Sequence, residues 1–257
     1  MFAEERHRLI TEAVETHGKV SVAELSERFA ITRETVRRDL ALLETDGLLR
    51  RVHGGAVGLA AASTREQSHS DRSTLHAEAK QAIARAAQQL LPSAGGSIML
   101  DAGTTTAELA GLIAQQGGED TLVITHALPI AARISANPQL ALEFIGGRVR
   151  GLTSAATGAG TVTAYARLRA DLAFVGTNAL HADFGLSTPD PLEASVKAAM
   201  VASAQRVVVL ADATKHDELT LVQFATLDQV DTLVTDRAPA GALAAALEAA
   251  DVEVVLA

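Results

Sequence analysis

Ile31-Thr32-Arg33-Glu34-Thr35-Val36-Arg37-Arg38-Asp39-Leu40 is the stretch on which the reading of this chain turns. At about 100° per residue in a helix, Val36, Leu40 and Leu43 share one face. Glu34, Thr35, Arg37 and Arg38 fall on the opposite face, with Arg33 beside them. That outward set has the chemistry that reads a DNA major groove: arginine bridges guanine O6 and N7, glutamate accepts from cytosine N4, and threonine offers a hydroxyl to phosphate or a methyl to thymine. An ordinary amphipathic surface helix with solvated charges would show the same pattern, so the neighbours decide.

Glu4 to about His17 places Ile10, Ala13 and Val14 at helical spacing, and His17-Gly18 gives a stop. Ser21-Val22-Ala23-Glu24 has the form of a capping box, in which a serine hydroxyl and a glutamate carboxylate satisfy reciprocal backbone N–H groups. A second helix is therefore expected from Ser21 to about Arg28, with Val22, Leu25 and Phe29 inward. Ala30-Ile31 makes the turn, Thr32 caps the next helix, and Gly47 closes it. Leu48 to Val57 then has two β-capable runs around a basic, glycine-bearing corner, which reads as the hairpin wing of a winged helix. Arg50, Arg51 and His53 are expected against flanking phosphates or the minor groove.

This order, through Thr32-Arg-Glu-Thr-Val-Arg-Arg-Asp-Leu40 and Leu43-Glu-Thr-Asp-Gly-Leu-Leu-Arg-Arg-Val-His-Gly-Gly-Ala56, resembles the DNA-binding domain of the DeoR family of bacterial sugar-metabolism repressors over essentially all of residues 1–58. The resemblance implies double-stranded operator DNA as a partner. The expected DNA-facing set is Ser21, Thr32, Arg33, Glu34, Thr35, Arg37, Arg38, Arg50, Arg51 and His53. Base readout needs two correctly spaced half-sites, so a homo-oligomer of at least two chains is expected.

Composition sets the outer limits. A chain of 257 residues is long enough for two domains, and 48% hydrophobic content supports a sizeable core. With no cysteine, disulfides, thiolate catalysis and cysteine-ligated zinc are excluded. The opening Met-Phe-Ala-Glu-Glu-Arg is charged at once and the apolar runs are short, so a cytoplasmic protein without a membrane partner is expected. The net charge of −9 is unevenly placed: residues 1–58 hold nine basic and ten acidic side chains, and residues 28–58 hold six basic against four acidic. Such weak basicity favours base readout by a few placed arginines over a general polyanion-binding surface.

Residues 59–77 lose the periodicity and read as a linker with some helix, leaving 78–257 as a second domain. There a helix from Glu78 to about Leu91 is followed by apolar runs at Ser97–Leu100, Thr121–Thr125, Leu140–Ile145, Asp171–Val175, Arg206–Leu210, Thr232–Thr235 and Val252–Leu256. Buried strands alternating with helices indicate a mainly parallel α/β sheet, in which ligands bind beyond the carboxyl ends of the strands. Asp101-Ala102-Gly103-Thr104-Thr105-Thr106 follows the first strand and opens a helix, a fit for a phosphate cradle. Later strand ends bear Thr125-His126, Gly146-Gly147-Arg148 and Gly176-Thr177-Asn178, which suit a small phosphorylated, polyhydroxylated ligand. Lysine is rare, at Lys19, Lys80, Lys197 and Lys215, so Lys197 and Lys215 are expected to serve as point charges in the pocket, Lys80 less so.

From about Lys80 to the end, the chain resembles the C-terminal domain of the same family, similar in fold to ribose-5-phosphate isomerase and implying phosphorylated-sugar inducers. The resemblance runs through the Asp101 motif, Gly146-Gly-Arg, Phe174-Val-Gly, Glu193 with Lys197, Asp212 to Lys215, and Thr235-Asp236. It departs where the family usually has asparagine, here His126, and glycine, here Ala179. The run Thr125 to Arg133, with Gly-Gly-Arg-Val-Arg, is similar to fructose-operon regulators of the family and favours fructose 1-phosphate. Histidine spacing shows no metal pair, so no metal or cofactor is expected and His126 reads as a pocket or core histidine. The rival reading is a sugar-phosphate isomerase-like enzyme with an appended DNA-binding domain, using Asp101, Asp183, Glu193 or Asp212 to move a proton. The winged helix makes turnover an unnecessary assumption, so no catalytic residue is assigned.

Overall fold

The computed structural model describes residues 3–17, 19–46, 48–52, 54–58, 68–92, 95–116 and 121–257. The chain divides into two compact units, residues 1–65 and 66–257.

In the first unit, α1 (Ala3–His17) leads into a short strand β1 (Lys19–Ser21), then α2 (Val22–Phe29) and α3 (Arg33–Thr45), and ends in the hairpin β2 (Leu49–Val52) and β3 (Gly55–Gly58). The caps form as the sequence dictates. Ser21 Oγ accepts from Glu24 N–H at 3.1 Å while Ser21 N–H donates to Glu24 Oε2 at 3.0 Å, and Thr32 Oγ1 accepts from Thr35 N–H at 3.2 Å. Each such cap is worth about 1 kcal/mol. Ala30 turns the chain between α2 and α3 in the left-handed region, φ 52°. Val36, Leu40 and Leu43 of α3 are buried with Ile10, Val14, Leu25 and Leu49 in one small core. The wing has a third strand that the sequence did not reveal: β1 pairs antiparallel with β3, Ser21 opposite Gly55. A Cβ at Gly55 would stand 2.0 Å from the Val20 carbonyl oxygen, so this pairing requires glycine. Gly18, Gly47 and His53, read as two stops and a wing contact, lie outside the described residues.

The second unit opens with α4 (His69–Thr74) and α5 (Ala77–Gln88). The stretch read as a linker is thus partly structured. His69 N–H donates to the distant Leu152 carbonyl at 2.8 Å and Lys80 Nζ donates to the Arg72 carbonyl, contacts that periodicity cannot show. Then follow β4 (Gly96–Leu100), α6 (Thr104–Gln116), β5 (Thr121–Thr125), α7 (Leu128–Ser135), β6 (Ala141–Phe144), β7 (Arg148–Arg150), β8 (Ala155–Thr157), α8 (Ala159–Tyr165) and β9 (Ala170–Gly176). The chain finishes with β10 (Ala179–His181), β11 (Gly185–Thr188), α9 (Pro191–Ala202), β12 (Ala204–Leu210), β13 (Val222–Ala225), β14 (Thr232–Thr235), α10 (Gly241–Ala249) and β15 (Glu253–Leu256).

Seven strands form one sheet in the order β15-β14-β12-β9-β4-β5-β6, every neighbouring pair parallel. They correspond to the seven apolar runs of the sequence. Both faces of the central strands are buried, and alternation assigns the residues: Ile98, Leu100, Leu172, Phe174, Val208 and Leu210 pack in one core layer, Met99, Ala173, Val175, Val207 and Val209 in the other. The chain builds outward from β4 through β5 to β6, then restarts at β9 on the other side of β4. The crevice between the carboxyl ends of β4 and β9 is therefore the topological switch point, where open α/β sheets bind ligands.

Candidate functional site

The residue after β4 and the last residue of β9 meet at that switch point. Asp101 Oδ2 accepts from Gly176 N–H at 3.0 Å and from the Lys197 ammonium, whose Nζ also donates to the Gly176 carbonyl at 2.9 Å. Lys197 reaches in from α9, and its Nζ lies 5.4 Å from the Phe224 ring centroid. Burial pushes the Asp101 carboxyl up, but the Lys197 charge and the Gly176 N–H more than offset it, leaving it below its ordinary range.

His126 is buried in the turn after β5. Its Nδ1 is 2.9 Å from the hydroxyl of Tyr165, and its Nε2 is 3.9 Å from Asp101 Oδ1. Burial lowers its pKa to about 4, so the imidazole is neutral at physiological pH. The sign for stability follows: the unfolded chain takes up a proton near pH 6.5 and the folded chain only near pH 4, so stability is full above pH 6.5 and declines as pH falls between these values. The difference corresponds to about 3 kcal/mol. Urea titrations at pH 7 and pH 4.5 are expected to show a smaller acid loss in His126→Asn than in the parent; equal losses would refute the assignment.

The threonines expected to face the effector divide into two kinds. Thr106 Oγ1 accepts from Gly103 N–H at 2.9 Å and lies 2.7 Å from the Asp101 carbonyl, and Thr125 Oγ1 donates to the Leu100 carbonyl at 2.7 Å. These two hydroxyls shape the strand-to-helix turns. Thr104 and Thr105, by contrast, keep 8% and 7% exposure, and their hydroxyls make no hydrogen bond to any described residue.

A hairpin of β7 and β8 links two of the strand-end loops. Ala156 N–H donates to the His126 carbonyl at 2.9 Å, while Arg150 Nη1 and the Thr153 hydroxyl both reach Glu193 Oε1 in the first turn of α9. Arg150 Nε also contacts Asp190 Oδ2 at 3.2 Å. Glu193, expected to face the effector, is therefore engaged by this hairpin. Gly146, Gly147 and Arg148 are exposed at its approach, and a Cβ at Gly147 would collide with Thr161 Oγ1 at 2.1 Å. Asn178 Oδ1 accepts from the Thr188 hydroxyl at 3.0 Å.

At the end of β12, Asp212 Oδ1 accepts from Thr214 N–H at 3.0 Å and from the Thr214 hydroxyl. Burial raises its carboxyl, and Lys215 and Thr214 carry it below its ordinary range. Lys80 is buried close by and is pushed down to about 8, chiefly by burial. Sequence reasoning passed over Tyr165, whose one signal was its being the chain's only tyrosine.

In the first unit, Arg33, Glu34, Arg37 and Arg38 are exposed on α3, as is Thr32 at its cap, with Thr35 half-buried. Arg51 is exposed on β2, next to Arg50. Asp39, read only as part of a motif, is buried and faces α1. Its carboxylate accepts from Arg6 Nε at 2.5 Å, Arg6 Nη2 at 2.9 Å and His7 Nε2 at 2.9 Å. Burial raises the Asp39 carboxyl, and these donors hold it below its ordinary range.

Comparison with known proteins places both units. Residues 6–61 match the DeoR-like helix-turn-helix domain and residues 75–237 the DeoR C terminal sensor domain. The HTH-type transcriptional regulator GlpR of Haloferax volcanii is 37% identical over 92% of this chain and 91% of its own. A transcriptional regulator of Bacillus subtilis named FruR is 35% identical over 92% of each chain. Among solved structures, a ribose 5-phosphate isomerase A from Methanocaldococcus jannaschii aligns with 53% of each chain at 17% identity and a TM-score of 0.38. With a DNA-binding helix-turn-helix ahead of a parallel α/β sensor domain, the chain belongs to the DeoR family of transcriptional regulators.

Proposed function

We propose that the protein represses a sugar uptake or catabolic operon and is relieved when a phosphorylated sugar, fructose 1-phosphate foremost, occupies the switch-point crevice. The observation that carries this reading is the first turn of α6. The hydroxyls of Thr104 and Thr105 have no hydrogen-bond partner among the described residues, and the slight exposure of both residues leaves them open to a ligand. They stand at a helix N-terminus, whose free N–H groups and dipole favour an anion. Lys215 supplies a cation beyond the end of β12, which β9 separates from β4. The exposed face of α3 and the arginines of β2 are the proposed DNA contacts, in an assembly of at least two chains. Relief requires the effector to bind one conformation better than the other, since equal affinity shifts nothing.

The isomerase reading meets an obstacle in two of its carboxylates. Asp101 and Asp212 are held below their ordinary pKa and already committed to donors, which makes them weak bases.

Thermal unfolding with fructose 1-phosphate, glycerol 3-phosphate and inorganic phosphate tests the proposal. A ligand at a hundred times its Kd stabilises by about 2.7 kcal/mol, a rise of roughly 5–10 °C for a unit of this size. Thr105→Ala and Lys215→Ala are expected to reduce that rise by more than half. A rise unaltered in both variants would place the phosphate elsewhere.

A further inference from the structure

One oxygen in the switch-point cluster is left over. Asp101 Oδ1 is fully buried and has no hydrogen-bond partner among the described residues, although Oδ2 of the same carboxylate takes two donors. An unmet buried carboxylate oxygen is costly, and its presence calls for a reason.

The group facing it is His126 Nε2, 3.9 Å away, beyond direct hydrogen-bond reach. Tyr165 decides what that nitrogen carries. The buried phenol is kept from ionising, its pKa raised well above 10, and its hydroxyl has His126 Nδ1 as its one hydrogen-bond partner among the described residues. A phenol satisfied in this way donates to Nδ1, which puts the imidazole proton on Nε2. The opposite tautomer would leave the phenol proton unmet and turn a nitrogen lone pair toward a carboxylate. The neutral state of His126 agrees with this assignment.

A donor and a bare acceptor therefore face each other across a gap that one oxygen can close. At ordinary hydrogen-bond length from both, that oxygen sits near a right angle between them. It must accept from nitrogen and donate to a carboxylate. A ligand hydroxyl or a water molecule does both, whereas a phosphate oxygen, a carbonyl or an ammonium does only one, so an effector hydroxyl here takes the place of a water.

We propose that Asp101 and His126, with Tyr165 fixing the tautomer, form a hydroxyl receptor that selects polyhydroxylated effectors. The proposal rests on the sensor reading above and adds a second recognition element to it: the first turn of α6 takes the anion, and the Asp101–His126 gap takes a hydroxyl. Because Asp101 also joins β4 to β9 through Gly176, a hydroxyl bound there touches both halves of the sheet.

The test is calorimetric and thermal-shift binding of the full chain, parent against His126→Ala and Tyr165→Phe. The probes are fructose 1-phosphate, unphosphorylated fructose and inorganic phosphate. Fructose 1-phosphate is expected to bind His126→Ala roughly 10- to 100-fold more weakly, the worth of a hydrogen bond in a charged pair. Tyr165→Phe, which keeps the packing, is expected to weaken it several-fold, while inorganic phosphate binds all three proteins alike. Equal binding of fructose 1-phosphate by parent and both variants overturns the hydroxyl receptor and leaves the phosphate-sensing reading standing. Binding of fructose with or without its phosphate, in a His126-dependent manner, supports the receptor and overturns the phosphate requirement. If neither fructose compound binds the parent, both readings fall.

Discussion

Asp101→Ala is expected to lower the stability of the sensor unit by about 3–5 kcal/mol, because it leaves the Lys197 ammonium buried without its carboxylate. For a unit of this size each kcal/mol is worth roughly 2–4 °C, so the melting temperature should fall by about 6–20 °C. Replacing both partners, Asp101→Ala with Lys197→Met, should recover most of the loss, since an apolar pair leaves no orphaned charge. A double variant no more stable than the single one would show that the two groups are not coupled. The pH dependence has a defined sign. The Asp101 pKa is depressed in the fold, so its contribution is present above the unfolded value near 4 and is lost as pH falls through the lower folded value.

Arg37→Ala and Arg38→Ala should produce the largest change in DNA binding. Each bidentate base contact contributes about 1–3 kcal/mol. With two half-sites engaged as proposed, one substitution removes two contacts, a loss of roughly 30-fold to 10⁴-fold. The probe is DNA selected by the parent protein from a random pool, read at fixed salt. Binding to unselected DNA should fall far less, and the thermal response to sugar phosphates should not change. Operator affinity that survives both substitutions would remove α3 from the recognition role. Arg37 lies 3.6 Å from Glu34 on the same helix, so Glu34→Gln separates a direct contact by Glu34 from a loss of Arg37 placement.

Much of this architecture was legible in the chain itself. The central strands of the parallel sheet are apolar runs because both their faces are buried, and the capping residues Ser21 and Thr32 act on backbone three positions away. What escaped was short or distant. Strands β1, β7, β8, β10 and β11 span three or four residues and exist by pairing with partners set by the tertiary fold, which leaves no period to read. At the site, Asp101 and Lys197 stood out by position and rarity, yet their contact joins residues 96 apart in sequence. Thr106 and Thr125 look like ligand hydroxyls in a motif, and only the backbone geometry shows them already bound. Tyr165 lies in a small-residue helix and is marked only by being the chain's one tyrosine.

The burial of Asp39 alters what a nucleic acid would feel. Helix α3 carries Arg33, Arg37 and Arg38 against Glu34, Asp39 and Glu44, a formal balance of zero. Asp39, however, is neutralised from within by Arg6, and Glu44 is turned to the Arg51 backbone N–H at 2.8 Å. Three arginines remain at the surface against Glu34, which lies 3.6 Å from Arg37, so the helix presents a net cationic front that its formal charge conceals. Counterion release on complex formation should therefore follow the arginines that meet phosphate and be blind to Asp39. An acidic protein can thus show the steep salt dependence of a basic one.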